Sequence, residues 1–175
     1  MEFEKYKGMM WASGRISIGF VFLWAFFDKL LGLGFATCTD RATGDYLGFM
    51  CDKSFIEGGK VTAGFLGGAT GPFAPVFHAI AGNLVVEWLF MIGLLAIGIG
   101  LMLGVAMRLS TYSASIMLFL MWLAVLPKDV NPFMDDHIVY IFFLMLMNWY
   151  NAGEWLGLGK WWSQLSVVKK SKILQ

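Results

Sequence analysis

Apolar residues run almost unbroken through four stretches of the chain, at about 9–31, 84–103, 109–126 and 132–150. A helix rising 1.5 Å per residue needs roughly 20 such residues to cross the hydrocarbon core of a bilayer. The first stretch carries Arg15, Asp28 and Lys29, and the second carries only Glu87. The third has no charge at all. The fourth holds Asp135, Asp136 and His137 in its opening turns, and its uninterrupted apolar run is confined to 138–147. The pattern predicts an all-α membrane protein: a four-transmembrane-helix bundle in one domain, 1–175, with a long extracytoplasmic loop between helices 1 and 2.

The flanks set the expected orientation. The first helix reads as retained rather than cleaved, because Glu2 and Glu4 precede it and no Ala-x-Ala site follows. With an even number of spans, Lys5, Lys7, Arg108, Lys160, Lys169, Lys170 and Lys172 share one side of the membrane. Arg41, Lys53, Lys60 and Lys128 share the other. The positive-inside rule then places both termini in the cytoplasm of a multi-pass protein of the cell membrane. Trp149, Tyr150, Trp155, Trp161 and Trp162 form an aromatic belt at the inner interface. The second half of the outer connection, 62–82, is rich in glycine and includes two prolines, which argues against a fifth span. Pro72 is expected to open a short helix on the outer surface, with Phe73, Val76, Phe77 and Ile80 facing one way.

Composition agrees. Charged residues make up 14% of the chain, against about 25% in soluble domains. A net charge of +1 with no basic stripe excludes a nucleic-acid footprint. Gly98, Gly100 and Gly104 mimic part of a nucleotide loop, but inside an apolar span Ala96, Gly100 and Gly104 instead form a small-residue series for close helix packing.

Four local patterns resemble the DoxX/DoxD family of small four-helix membrane proteins. They are RISIGFVFLWAFFDKLLGLGFAT (15–37), GGKVTAGFL (58–66), EWLFMIGLLAIGIGLMLG (87–104) and NPFMDDHIVY (131–140). They cover most of the chain in the family's order, and the DoxD branch is the most similar. That resemblance implies a membrane redox subunit, of the kind found in thiosulfate:quinone oxidoreductase, passing electrons from a reduced sulfur compound to the quinone pool. It also implies a second small subunit or partner oxidoreductase; a homo-oligomer is the other arrangement. Quinone would be the substrate, with no metal or haem. The competing class is a non-catalytic membrane subunit that binds lipid or anchors a partner enzyme. A solute transporter lacks support, since no internal hydropathy repeat is visible.

Ionisable groups at membrane depth are costly and mark candidate chemistry. If the helices run as expected, Asp28, Lys29, Glu87, Asp135, Asp136 and His137 reach a common outer level. His137 can pass a proton or donate to a quinone carbonyl near neutral pH. His137, Asp136, Glu87 and Asp28 are therefore the candidate proton-handling residues. His137, Asp135, Lys29 and Arg15 are the candidate quinone- or lipid-binding residues. Each has a plainer reading. Asn131 and Pro132 fit an N-cap and N1, with Asp135 and Asp136 at the positive helix end. Lys29 can snorkel to the interface. Arg15, in the inner half of its helix, is expected to meet Asn148 or Glu154, or else an anionic headgroup. Cys38 and Cys51 share the outer loop, where a structural disulfide is expected and a redox-active pair is the alternative.

Overall fold

The computed structural model describes residues 2–40, 42–127, 131 and 133–174, the side chains of 2–5 and 172 apart. Arg41 and Lys128, counted toward topology, and Pro132, expected to open the fourth helix, lie outside the described residues. The helices are α1 (Glu2–Leu31), α2 (Ala63–Leu66), α3 (Ala74–Ile80), α4 (Leu84–Leu103), α5 (Met107–Ala124), α6 (Asp136–Trp149), α7 (Gly159–Trp162) and α8 (Ser166–Lys170). Single 3-10 turns lie at Phe55–Glu57, Ala152–Glu154 and Lys172–Leu174. Extended pairing among the described residues is limited to one bridge, Thr39 to Tyr46.

Three segments, Tyr6–Leu31, Leu84–Leu103 and Met107–Ala124, are long and apolar enough to cross a membrane. Helix α6 has 14 residues, or about 21 Å at 1.5 Å each. The cause lies at its start. The N-cap is Asp135, whose carboxylate accepts the Ile138 N–H at 3.3 Å. Asn131, expected in that role, closes a local turn on the Phe133 N–H at 3.0 Å. Helix α4 has the expected limits. Asn83 accepts the Val85 N–H at 2.9 Å and opens it. Gly104, at φ 70°, ends it in the left-handed region that glycine enters without a Cβ clash. Along α4, Met91, Leu94, Ile97 and Leu101 are buried at helical spacing, while Trp88, Leu89 and Ile92 are exposed. Exposed apolar side chains at this density would be a liability in water and suit lipid.

The chain forms two compact units. The first comprises Met1–Phe22, Ala96–Trp122 and Met134–Gln175. Within it Trp11 stacks on Tyr150, with centroids 4.8 Å apart, and tilts against Phe143. Gly14 lets Phe143 and Met147 approach α1, since a Cβ there would stand 2.8 Å from the Phe143 ring. Gly100 belongs to the expected small-residue series and faces the Ser110 side chain. The buried hydroxyls of Thr111 and Ser115 donate to Met107 and Thr111 carbonyls at 2.8 and 2.7 Å. Such back-bonding satisfies them inside an apolar helix.

The second unit comprises Leu23–Leu95 and Leu123–Phe133. Its core gathers Leu66, Ala69, Phe77 and Ala124, flanked by Phe65, Val86 and Leu123. The Gly-rich half of the connection forms two short helices, α2 and α3, where the sequence predicts one. Pro75, not Pro72, occupies the first turn of α3, where a missing N–H costs nothing. The expected one-sided face is split: Phe77 enters the core while Phe73, Val76 and Ile80 stay exposed.

Candidate functional site

Arg15 is wholly buried. A guanidinium has five N–H donors, and each meets a backbone carbonyl. Nε donates to Ala152 O at 3.1 Å. Nη1 donates to Leu101 O and, at 2.9 Å, to Met102 O. Nη2 donates to Trp155 O and Leu156 O, both at 3.1 Å. Leu101 and Met102 end α4, where carbonyls run out of intrahelical donors and a positive charge suits the helix dipole. Glycines make the cage possible: a Cβ on Gly104 would lie 3.1 Å from Arg15 Cζ, and one on Gly157 would lie 2.9 Å from Nη2. Neither Asn148 nor Glu154 bonds Arg15. All five donors are engaged by carbonyls, so the structure gives Arg15 the part of a structural tie between α1, the end of α4 and the segment after α6.

Asp28 and Glu87 are also buried. Asp28 accepts three backbone N–H groups just beyond α1, from Phe35 at 3.1 Å and from Ala36 and Thr37 at 3.0 Å. Its own carbonyl receives the N–H of Gly32, at φ 66°, which turns the chain out of the helix. Glu87 receives the Thr62 N–H at 3.2 and 3.0 Å and the Thr62 hydroxyl at 2.6 Å. Each carboxylate thus fastens a different stretch of the connection, the role hydrogen-bonded buried acids perform in structural cores. Lys29 is partly exposed beside Asp28. Cys38 and Cys51 form a disulfide, with Cys38 fully buried.

Asp135, Asp136 and His137 stand together in the first unit. Asp135 Oδ2 lies 2.8 Å from His137 Nδ1, and Asp136 Oδ1 lies 3.6 Å from it. The His137 ring is 15% exposed and Asp135 7%, while Asp136 is open at 66%. The N-cap thus does two things at once: it starts α6 and fixes one ring nitrogen. With Nδ1 held by a carboxylate, Nε2 is the nitrogen free to engage a ligand or exchange a proton. The three residues can also offer ligand atoms within 4.8 Å of one another. One tautomer of the His137–Asp135 pair resembles the oriented imidazole of general acid–base sites.

Two features escape a reading of the sequence. Thr62, the partner of Glu87, lies in a Gly-rich run that gives no sign of it. A cleft of about 190 Å³ in the first unit is lined by Arg108, Asn148, Asn151, Glu154, Trp162 and Ser163. The signal that points to this region is the spacing of Gly153, Gly157 and Gly159 directly after α6, which marks close backbone approach. Set against known proteins, the chain matches no family model, no curated protein and no solved structure.

Proposed function

We propose that this chain is a multi-pass subunit of the cell membrane, of DoxX/DoxD type, which helps pass electrons from a reduced sulfur compound such as thiosulfate to quinone. In this reading α6, extended by its flanks, is a fourth span, both termini lie in the cytoplasm, and the connection between α1 and α4 is extracytoplasmic. The observation that carries the proposal is the His137–Asp135 pair, 2.8 Å apart at the mouth of an apolar helix. Quinone reduction takes up two electrons and two protons. The sulfur donor is oxidised and its two electrons reach the quinone through a partner subunit, while His137 Nε2 hydrogen-bonds one quinone carbonyl and delivers one proton, the second coming from water. Asp135 holds the ring in place, and Asp136 offers an exposed carboxylate for proton exchange with water. Asp28 and Glu87 are assigned to holding the connection rather than to the proton path.

A second reading, a non-catalytic membrane subunit that anchors a partner oxidoreductase, draws on one specific observation. Arg15, Asp28 and Glu87, the most deeply buried charges among the described residues, are all engaged by neighbouring backbone or hydroxyl groups. Titrating the purified protein in lipid nanodiscs with a quinone analogue separates the two. Binding that weakens at least about tenfold in His137→Gln, which keeps size and removes titration, supports the redox reading. No binding, or equal binding in both proteins, favours the anchor.

A further inference from the structure

The segment after α6 has a charge pattern that the redox reading does not use. Residues 155–175 hold Lys160, Lys169, Lys170 and Lys172 and not one Asp or Glu. Lys160, Lys169 and Lys170 are exposed. Interleaved with them, Leu156, Leu158, Trp161, Val167 and Ile173 are exposed as well. The segment is nevertheless firmly built. Arg15 grips the Trp155 and Leu156 carbonyls at its base. Val168 is buried, and the Trp162 indole N–H donates to Leu174 O at 2.6 Å, closing the end back on the aromatic pair. Lys160 Nζ sits 5.7 Å from the centre of the Trp155 ring, a cation–π distance.

We infer that residues 155–174 form a surface that binds the anionic phospholipid of the adjoining leaflet. Water satisfies the lysines but not the exposed Trp, Leu, Val and Ile side chains. An apolar partner would do the reverse. The headgroup–acyl boundary offers both environments within a few ångströms, and tryptophan and lysine favour it for that reason. The segment follows the apolar helix α6 after one short turn, Ala152–Glu154, so it is delivered to that boundary. Four lysines without a compensating acid select negatively charged headgroups over neutral ones. The nearest acid in sequence, Glu154, precedes the segment and lines the same cleft as Arg108. The inference rests on the bilayer placement proposed above and is independent of the redox chemistry.

The test uses the full chain in nanodiscs of phosphatidylcholine, with or without a minority of phosphatidylglycerol. Nanodiscs expose both membrane faces, so orientation does not matter. Chymotrypsin cleavage after Trp161, Trp162 and Leu165 is followed by mass spectrometry, with cleavage after Tyr46 and Phe49 in the disulfide loop as internal reference. Phosphatidylglycerol should slow cleavage in the 155–174 segment at least about tenfold relative to the loop. High salt should reverse this, and the exposed-residue variant Lys160→Gln/Lys169→Gln/Lys170→Gln should abolish it while leaving the cleavage sites intact. Equal rates in the two lipids would overturn the inference. So would equal slowing at Tyr46 and Phe49, which assigns the effect to the protease. Equal protection by soluble polyglutamate in neutral nanodiscs would instead identify an acidic polypeptide as the occupant. A chain that does not enter nanodiscs would overturn the bilayer placement itself.

Discussion

Replacing Arg15 with methionine keeps an unbranched, flexible stem and removes the guanidinium with all five donors. Hydrogen bonds involving a charged group contribute about 1.5–3 kcal/mol each, so five amount to roughly 8–15 kcal/mol before desolvation. Burying the guanidinium costs several kcal/mol in return, and removing one side of such a buried polar arrangement typically destabilises by about 3–5 kcal/mol. Arg15→Met should lose about that much. Arg15→Lys keeps the charge but has three donors, so at least two of the five bonds are lost, and a loss of about 2 kcal/mol is expected. The assay is reversible unfolding in detergent, paired with chymotrypsin cleavage at Leu156 and Leu158. The carbonyl cage predicts that cleavage there accelerates in both variants, because two of its five acceptors are Trp155 and Leu156. Both variants within about 0.5 kcal/mol of the parent, the range of ordinary surface changes, with cleavage unchanged, would refute the reasoning.

Other contacts give further expectations. Cys38→Ser/Cys51→Ser opens a bridge between residues 13 apart, and should lower stability by about 3 kcal/mol on the chain-entropy account; an unchanged melting curve would count against it. Thr62→Val removes the hydroxyl 2.6 Å from Glu87, and unfolding titrations should show a loss of about 1.5–3 kcal/mol because the carboxylate stays buried with one partner fewer. Reporter fusions at Gln175 and within residues 40–53 should report opposite compartments, and matching signals would refute the proposed topology.

The limits of α4 were readable in the sequence because its apolar run is bounded by Asn83 and Gly104, residues whose local chemistry starts and stops helices without outside help. The start of α6 was not, because Asn131 and Asp135 are both competent caps. The choice went to Asp135, which stands three residues before the continuous apolar run, caps the Ile138 N–H and also binds His137. Arg15 stood out as a charge in an apolar helix, but its partners are carbonyls. Which carbonyls are available depends on where other helices end, and a single side-chain pattern does not carry that information. Asp28 illustrates the intermediate case. Gly32 and Gly34 just beyond it both take positive φ, and the three N–H groups it gathers come together only once that turn is folded.

The central claim is most directly tested by donor-dependent quinone reduction in the complex purified through this chain, with His137→Gln beside the parent. The account predicts thiosulfate-driven turnover in the parent and a fall of about 10²–10⁴-fold in His137→Gln, with the melting temperature preserved. Turnover unchanged in the variant, or absent from an intact parent complex, would contradict it.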